Sequence, residues 1–396
     1  MAYDFDSVIN RRGTGSLKWD IKDDELPMWV ADMDFRASDA ILEAMQKKID
    51  TGVFGYQILT DEWYDAYISW WKQRHGFEIK RQWLKFVTGV IPAISSAVRT
   101  FTRPAEKVVL LTPVYNTFYN SIRNNGRIPY ECPLIYDPLA EKQQDRYKID
   151  FEALETALSD PQSALMLLCN PHNPVGRIWT REELSRIGEL CGKYEVTVFS
   201  DEIHCDLTAP GLSYIPFASV SEPCRDISIT AISPSKAFNL AGIQTAAFFA
   251  ADPRLCHRLW RAVNNDEVGE PSAFAVDAAV AAFTKSGQWL DEARAYIQKN
   301  KELTVEYIKN NIPGISVVST QVTYLLWIDV SKVASLGVNA ADFIREKTGL
   351  FVCEGQMYGK GGEDFIRLNV ACPESLLKEG LLRLKDGIGA LAESKS

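Results

Sequence analysis

The sequence lacks the features that are typical of membrane, nucleic-acid-binding and secreted proteins. No apolar stretch of the 396 residues approaches the length that is needed to cross a bilayer. No run of basic residues stands out, and 43 Lys and Arg against 52 Asp and Glu give a net charge of −9. This balance argues against nucleic acid or an anionic membrane as the main partner. Residues 1–6 are acidic rather than like a signal peptide, so we expect a cytoplasmic protein.

Motifs for metals and common nucleotides are also missing. The four histidines lie in separate segments and the eight cysteines are scattered without a C-x-x-C pair, so we predict no metal site. We interpret the cysteines as reduced and mostly structural, which fits a reducing compartment. The chain has no G-x-x-x-x-G-K-[ST] motif, and no G-x-G-x-x-G motif between a strand and a helix. These absences argue against triphosphate and dinucleotide sites.

The middle of the chain alternates between short apolar runs and amphipathic stretches. Seven runs have the length and β-branched content of buried strands. They cover residues 85–88, 108–111, 128–132, 164–169, 197–200, 227–232 and 245–250. Helix-like stretches such as 92–101, 181–194 and 253–263 lie between most of them. The alternation predicts an α/β fold with a mainly parallel sheet and helices on both faces.

The length of the chain allows one large and one small domain. We predict that residues 1–50 form an arm, with a helix at 37–49, that packs with the small domain. Residues 51–285 would form the large domain, and a long amphipathic helix over 273–305 would lead out of it. Residues 286–396 would form the small α+β domain. Its predicted strands are 315–318, 324–329 and 365–369, and its predicted helices are 340–347 and 374–390.

Three polar residues of complementary chemistry follow three predicted strands. Lys236 stands in a small, polar turn after the run 227–232, and Asn173 and Asp201 follow two earlier runs. Ligands of open α/β sheets bind at the carboxyl ends of the strands, so the layout indicates a binding site. A lysine beside two serines, taken alone, is more often part of a solvated loop. Asp201 is either a helix cap or the partner of a cationic ring nitrogen, and this residue alone leaves both open.

Another strand–helix junction has the features of a phosphate site. Residues 88–93 end a strand and open a helix, and Pro92 suits the first helical turn. The free amides of Val90 and Ile91 would then point out of a positive helix terminus. Many strand–helix junctions share this pattern. After the next strand, Tyr115 is either a packing aromatic or the face on which a planar ligand stacks.

Together these motifs resemble the signature series of fold-type I pyridoxal 5′-phosphate (PLP) enzymes, the aspartate aminotransferase superfamily. The series is, in order, 170–176 (Asn-Pro-His-Asn-Pro-Val-Gly), 201–204 (Asp-Glu-Ile-His) and 233–239 (Ser-Pro-Ser-Lys-Ala-Phe-Asn). The resemblance extends over nearly the whole chain. It implies PLP as the cofactor and the fold-type I fold, with a large, mainly parallel domain and a smaller α+β C-terminal domain.

The resemblance also implies roles for individual residues. Lys236 would be the Schiff-base lysine, Asp201 would pair with the pyridinium nitrogen, and Asn173 would bond the phenolic oxygen of the ring. Tyr115 would stack on the ring, and Arg367 would bind the α-carboxylate of the substrate. The other cofactor-binding residues that it implies are Val90, Ile91, Ser233 and Ser235 around the phosphate, together with His204. Because PLP withdraws electrons, an amino acid bound to it loses its Cα proton easily, and the displaced Lys236 would be the base.

Two positions separate the chain from ordinary aminotransferases. His204 stands where many of them have tyrosine, and Gln244 stands where many have a phosphate-binding arginine. Residues 28–35 and 52–56 instead resemble the cystathionine β-lyase branch of the superfamily, which contains carbon–sulfur β-lyases. In that branch the loop tyrosine reaches the phosphate of the neighbouring subunit. The resemblance therefore implies this role for Tyr56, and with it a homodimer.

Three hypotheses for the function follow. The first is a PLP-dependent carbon–sulfur β-lyase that converts cystathionine or another cysteine S-conjugate to pyruvate, ammonia and a thiol. Ala31 and Asp32 would form the wall of its side-chain pocket, where an apolar and acidic surface suits a cystathionine-like thioether. The second is a PLP aminotransferase, which His204 and the arm disfavour. The third is a PLP-fold protein that acts chiefly as a regulator or binding partner, which the joint presence of Lys236, Asp201 and Arg367 disfavours.

Overall fold

The computed structural model describes residues 3–333 and 338–394. Its helices are α1 (Asp39–Asp50), α2 (Asp61–His75), α3 (Val90–Phe101), α4 (Thr117–Arg123), α5 (Phe151–Ser159), α6 (Arg181–Lys193), α7 (Glu222–Asp226), α8 (Pro234–Ala237), α9 (Pro253–Asn265), α10 (Ala275–Lys285), α11 (Gly287–Asn311), α12 (Ala340–Thr348) and α13 (Glu374–Glu393). Its strands are β1 (Leu26–Pro27), β2 (Leu84–Val87), β3 (Lys107–Thr112), β4 (Ile128–Pro133), β5 (Ile135–Tyr136), β6 (Tyr147–Lys148), β7 (Ser163–Cys169), β8 (Thr197–Asp201), β9 (Ser228–Ile232), β10 (Ala246–Phe249), β11 (Ser316–Val317), β12 (Leu325–Asp329), β13 (Leu350–Phe351), β14 (Cys353–Glu354) and β15 (Phe365–Asn369).

The largest sheet has seven strands in the order β2-β10-β9-β8-β7-β3-β4. The five neighbouring strands β9, β8, β7, β3 and β4 pair in parallel. Strand β10 is antiparallel to both of its neighbours, β2 and β9. Parallel neighbours need a crossover connection, which α6 supplies between β7 and β8. All seven predicted strands form, and the prediction of a mainly parallel sheet is confirmed.

Alternate residues of the central strands enter two apolar cores, one on each face of the sheet. In β3, Val109 and Leu111 pack in one core, whereas Val108 and Leu110 pack in the other. All four side chains are buried, and burial of each contributes about 1.5–3 kcal/mol relative to exposure. This two-sided burial explains why such strands appear in the sequence as continuous apolar runs.

The single long helix predicted over residues 273–305 is wrong. The structure has two helices in this region, α10 and α11, and Ser286 lies between them. The Ser286 hydroxyl donates to the carbonyl oxygen of Ala281 at 3.0 Å and lies 2.5 Å from the hydroxyl of Ser38, at the start of α1. A serine that bonds the preceding turn competes with the helix backbone, which accounts for the break. The pattern of apolar residues continues from α10 into α11, so the sequence gives no sign of the break between them.

A second, antiparallel sheet lies in the C-terminal part of the chain, in the order β11-β12-β15-β14. Its strands β11, β12 and β15, and the helices α12 and α13, correspond to the elements predicted there. Strand β1 of the predicted arm pairs in parallel with β13, with Leu26 opposite Leu350, while α1 packs against α10. The division into an arm, a large domain and a small domain at residues 50 and 285 stays a proposal.

All eight cysteines are buried and none is in a disulfide, in agreement with their interpretation as reduced, structural residues. Within residues 3–333 and 338–394, no helix combines the length and the apolar content that a membrane span requires.

Gly355, which follows β14, has no room for a side chain. A Cβ at this position would overlap the carbonyl oxygens of Gly362 and Phe365. Because backbone atoms cannot rotate away, we expect Gly355→Ala to lower the free energy of unfolding by about 3 kcal/mol in denaturant titrations. Gly389→Ala in α13 is the control, because a Cβ there meets nothing within 4 Å. It should be neutral or stabilise the helix by up to about 1 kcal/mol, and equal losses in both variants would contradict this explanation.

Candidate active site

A cavity of about 290 Å³ lies where β8 and β9 end and α3 begins. Ten of the predicted site residues line it, namely Ala31, Val90, Ile91, Tyr115, Asn173, Asp201, His204, Ser233, Ser235 and Lys236. Sequence reasoning did not select four further lining residues, Cys169, Ile203, Ala241 and Thr245. Ile203 lies inside the motif 201–204, and the other three lie within a few positions of a motif or of Gln244, so closeness in sequence is the one signal that could have found them.

Lys236 lies in α8, the short turn that follows β9, and is half-buried. Its Nζ donates to the carbonyl oxygen of Ala31 at 2.7 Å. Burial of the amine and the nearby Arg367 cation lower the pKa of Lys236 to about 8, although the carboxylates of Asp32 and Asp201 act in the opposite direction. Because an appreciable fraction of this amine is neutral near physiological pH, it could act as a nucleophile or as a general base.

Asp201 ends β8 and is 4% exposed. Its Oδ1 accepts a hydrogen bond at 3.1 Å from the backbone N–H of Ile203, within a turn rather than at a helix cap. Burial raises the pKa of Asp201 to about 7, and the Ile203 hydrogen bond and the Lys236 charge offset only part of that effect. The carboxyl group could therefore hold a cationic ligand atom, whose charge would favour its ionised form.

His204 is buried beside Asp201 in the cavity wall. Its Nδ1 has no hydrogen-bond partner among the residues that the structure describes. Burial, and then the cations Lys236 and Arg367, lower the pKa of His204 to about 3. The ring is therefore neutral over the physiological range, and it presents an unused polar atom rather than a charge.

Arg367 comes from β15 of the second sheet and does not itself line the cavity. Its Nη1 donates to Oδ1 of the cavity residue Asn173 at 3.3 Å, and its Nη2 donates to the carbonyl oxygen of Trp29 at 3.1 Å. Arg367 is 4% exposed, and within the described part of the chain it has no ion pair and no partner for Nε. A buried guanidinium without a carboxylate is costly, so this arrangement suits an anionic ligand.

The N-terminus of α3 could bind a phosphate. Gly89 caps the helix, and the amides of Val90 and Ile91 in its first turn have no acceptor within the helix. Pro92 lies in this turn, as predicted. Free amides and the positive end of the helix dipole together attract an anion.

The turn after β9 adds hydroxyl groups to the same cavity. Ser233 Oγ donates to the carbonyl oxygen of Thr245 at 2.7 Å and lies 2.9 Å from Ser235 Oγ. Gln244, at the position of the usual arginine, has a left-handed backbone with φ of 56° and also lines the cavity. Lys236 is the sole lysine or arginine among the lining residues that the structure describes. An anion bound at α3 would therefore depend on neutral donors and the helix dipole.

Tyr115 fits both of its predicted roles. Its ring packs edge-on against Phe118, with 5.8 Å between the ring centroids, and Tyr115 also forms part of the cavity wall.

Two other predicted residues lie outside the cavity lining. The carboxylate of Asp32 pairs with Arg11 at 2.7 Å and lies 3.5 Å from Nζ of Lys18, so its charge is already compensated. Tyr56 is 98% exposed on the loop before α2. Nothing in the sequence pattern indicated the Arg11 contact, because the two residues lie in different parts of the arm.

A cluster of potential metal ligands lies behind the site, where His75, Cys205 and Asp206 have ligand atoms within 4.8 Å of one another. Oδ1 of Asp206 already accepts a hydrogen bond from Trp70 Nε1 at 2.9 Å, and it lies 2.9 Å from His75 Nε2. These contacts give the cluster a structural role, because they fix the turn that follows His204.

The cavity fits a flat cofactor that carries a phosphate and a basic ring nitrogen. The start of α3 could hold the phosphate, and Asp201 could hold the ring nitrogen. One buried atom without a partner among the described residues, Nδ1 of His204, belongs to a residue of the wall. Buried polar atoms in native proteins are rarely left without a partner, so its presence indicates a ligand. Lys236 could bind a carbonyl carbon of the same ligand.

A mainly parallel sheet with a lysine, an aspartate and a helix terminus at one edge is the arrangement expected of the fold-type I class. The family described as "Aminotransferase class I and II" matches residues 27–384. The chain belongs to this family, and the predictions of the superfamily and of the fold are confirmed.

Three similar proteins extend this finding. The chain is 43% identical to "Cystathionine beta-lyase PatB" of Bacillus subtilis (strain 168), over 96% of this chain and 98% of that protein. The crystal structure of cystalysin from Treponema denticola, which contains a pyridoxal 5′-phosphate cofactor, has a TM-score of 0.92 and 34% identity, over 99% of this chain and 100% of that one. A PLP-bound putative aminotransferase from Clostridium difficile 630 also has a TM-score of 0.92, with 33% identity, over 98% of this chain and 100% of that one.

The raised pKa of Asp201 has a consequence for stability. Folding raises it from 3.8 to about 7, so the ionised carboxylate disfavours the folded, cofactor-free chain. This destabilisation is absent below pH 4, grows as the pH rises and is complete above pH 7. We expect Asp201→Asn to raise the free energy of unfolding at pH 8 by on the order of 2 kcal/mol, and to have little effect near pH 4.

Denaturant titrations of the cofactor-free chain at both pH values would measure this effect. Asp252→Asn is the control of opposite sign, because the hydrogen bond from Arg254 lowers the pKa of Asp252. It should destabilise the chain slightly at pH 8. A loss of stability in Asp201→Asn at pH 8 would contradict the burial argument.

Proposed function

We propose that the chain is a PLP-dependent carbon–sulfur β-lyase that converts cystathionine or a related cysteine S-conjugate to pyruvate, ammonia and a thiol. One observation carries the proposal. Residues 28–35, which resemble the lyase branch, contact both residues that would act on the substrate. The carbonyl oxygen of Ala31 accepts from Lys236 Nζ at 2.7 Å, and that of Trp29 accepts from Arg367 Nη2 at 3.1 Å. The similarity to PatB over 96% of the chain supports the same branch.

When bound, PLP supplies an electron sink that makes the Cα proton of an amino acid acidic and allows a group to leave from Cβ. Asp201 would hold the proton on the ring nitrogen, and Asn173 would donate its amide to the phenolic oxygen. The first turn of α3, with Ser233 and Ser235, would hold the phosphate. The neutral fraction of Lys236, whose pKa lies at about 8, would take the proton from Cα.

The substrate would be oriented by groups that the cofactor does not use. Arg367 would bind the α-carboxylate in exchange for part of its hydrogen bonding to Asn173 and Trp29. Its rigid guanidinium suits a bidentate carboxylate. The apolar surface of Ala31 would face the side chain, while the Arg11 contact removes Asp32 from direct binding of a substrate amino group.

The aminotransferase hypothesis remains as the second candidate. An aminotransferase for dicarboxylic acids needs a further cation for the distal carboxylate. In the cavity of one chain Lys236 is the only lining cation within the described residues, and Arg11 is paired with Asp32 and Asp34. The lyase needs only a leaving group at Cβ, so these contacts favour it. A purely regulatory role would not require the lowered pKa of Lys236, which leaves part of its amine neutral and reactive near physiological pH.

We also propose a cytoplasmic homodimer in which Tyr56 completes the phosphate site of the neighbouring subunit. Tyr56 is 98% exposed, and its neighbours Val53, Phe54 and Ile58 are exposed as well. Four large apolar or aromatic side chains on one short loop are typical of a surface that a protein covers. The eight unpaired cysteines support a reducing compartment.

The products distinguish the two candidate reactions. We expect S-methylcysteine or cystathionine to give pyruvate, ammonia and free thiol in equal amounts, without an added keto acid, because the leaving group departs from Cβ. Alanine is the control substrate, since it has no leaving group at Cβ, and it should give no pyruvate under these conditions. Turnover that depends on an added keto acid and yields the matching amino acid would show that the chain is an aminotransferase and not a lyase.

Mixed subunits test the shared site. We expect Lys236→Ala and Tyr56→Ala homodimers to be nearly inactive, and their mixture to recover about a quarter of the wild-type activity after complete subunit exchange. Half of the dimers would then be mixed, and each would have one site with both residues intact. The control is a mixture of Lys236→Ala with Asp201→Ala, whose residues lie in one site, so activity should not return. Recovery in neither mixture, despite demonstrated exchange, would refute the role of Tyr56.

A further inference from the structure

The arm segment, residues 28–35, is held by hydrogen bonds to almost every one of its carbonyl oxygens. Most of the donors come from two places, the turn that contains Lys236 and the strand that contains Arg367. Besides the bonds from Lys236 and Arg367 themselves, the Cys353 thiol donates to the Trp29 carbonyl at 3.2 Å. The Asn369 backbone N–H donates to the Met28 carbonyl at 2.9 Å. The arm therefore joins the two residues that would act on the substrate.

Asn239, three residues after Lys236, attaches this turn to the arm. Its Nδ2 donates to the carbonyl oxygens of Met33 at 2.9 Å and Phe35 at 3.1 Å. Its Oδ1 accepts from the Met33 N–H at 3.0 Å. The backbone of Asn239 is left-handed, with φ of 57°, a conformation in which asparagine is among the few tolerated residues. All three of these side-chain hydrogen bonds of Asn239 thus go to the arm.

Asn369, two residues after Arg367, makes the matching contact from β15. Its Nδ2 donates to the carbonyl oxygens of Val30 at 2.6 Å and Asp32 at 2.7 Å. Its Oδ1 accepts from the Ala371 N–H at 2.8 Å, which orients the amide. These two bonds hold the residues on either side of Ala31.

The carbonyl oxygen of Ala31 is consequently fixed in space. It accepts from Lys236 Nζ at 2.7 Å and from the Tyr324 hydroxyl at 2.9 Å. Tyr324 is fully buried, so its position is fixed as well. Two donors on one oxygen, with both flanking carbonyls anchored by Asn369, make a rigid acceptor for the lysine.

We propose that Asn239 and Asn369 are positioning residues that hold the Ala31 carbonyl as the docking point for the free amine of Lys236. The proposal deepens the proposed function, since it concerns the lysine that would move the Cα proton. The charged or titratable groups around this amine are Arg367, Asp32, Asp201 and His204, together with Tyr324, whose hydroxyl donates to the same carbonyl oxygen. None of them is removed when an asparagine is replaced, so a change in the titration of Lys236 reports on the docking contact.

The test measures the titration of Lys236 in the full chain without cofactor. Acetic anhydride labels neutral lysine amines, and mass spectrometry of the Lys236 peptide gives the pH at half-maximal labelling. Loss of the carbonyl acceptor disfavours the ammonium form, so Asn369→Ala should lower this midpoint by about half a pH unit or more. Asn239→Gly should lower it in the same direction. Glycine suits the left-handed backbone, so this variant removes the side chain without adding strain.

Asn300→Ala is the matched control. Asn300 is also buried and also donates to two backbone carbonyls, those of Val370 at 2.9 Å and Cys372 at 2.8 Å, but neither carbonyl belongs to residues 28–35. We expect it to lower the melting temperature as Asn369→Ala does, while it leaves the Lys236 midpoint unchanged. A midpoint shift of equal size in Asn300→Ala would show general loosening and would overturn the proposal.

Two further outcomes complete the test. Unchanged midpoints in folded Asn369→Ala and Asn239→Gly chains would overturn the proposal, and if Asn369→Ala fails to fold, Asn239→Gly decides alone. In the cofactor-loaded enzyme, kcat for elimination from S-methylcysteine should fall about tenfold in both variants, with a smaller change in Asn300→Ala. The labelling midpoint does not depend on which reaction is catalysed. A shifted midpoint in a chain without lyase activity would therefore refute the proposed function and leave the docking contact standing.

Discussion

Backbone hydrogen bonds between β7, β8 and β9 place Cys169, Asp201 and Ala231 side by side at one level of the large sheet. Because these paired parallel strands end together, the segments that follow them leave the sheet at the same edge, bringing Asn173 and Lys236 to Asp201. The register matters in detail, since a slip of one residue would turn the Asp201 side chain to the opposite face. The candidate site therefore depends first on strand pairing and only then on its own side chains.

Several ionisable groups near this edge of the sheet have no partner within the folded chain that fully compensates their charge. Burial raises the pKa of Asp201 and lowers the pKa of Lys236 and His204. Arg367 is buried without an ion pair among the described residues. Each shift reflects a charge that folding disfavours, and such shifts are concentrated in functional sites. A ligand with a phosphate, a basic nitrogen and a carboxylate would supply the missing partners. The apolar cores on the two faces of the sheet stabilise the fold and offset the cost of burying these groups.

Much of this arrangement could be predicted from the sequence, and what could not has a common cause. Buried strands leave continuous apolar runs, so the sheet was predicted correctly. The lysine, aspartate and asparagine stand in distinctive local motifs, and the fold brings them together in one cavity. The helix break at Ser286 was not predicted, because the Ser286 hydroxyl bonds the Ala281 carbonyl and also contacts Ser38, far away in sequence, and neither contact appears in the apolar pattern. The Arg11 contact of Asp32 and the anchoring role of Asn369 were missed for the same reason. Periodicity and motifs describe local structure, whereas these contacts arise only after the chain has folded.

The anchoring of the arm has a consequence for the order in which the protein is made. Asn369 binds the carbonyl oxygen of Asp32, a residue 337 positions earlier in the chain. Strand β1 likewise pairs with β13, which is one of the last strands to be synthesised. Domains of nascent chains generally fold from the amino terminus onward, but two partners of this arm, Asn369 and β13, are absent until the carboxyl-terminal sheet has left the ribosome. The candidate site is thus completed late in synthesis, because an unfinished chain lacks Arg367 and the Asn369 contacts that hold the carbonyl acceptor of Lys236.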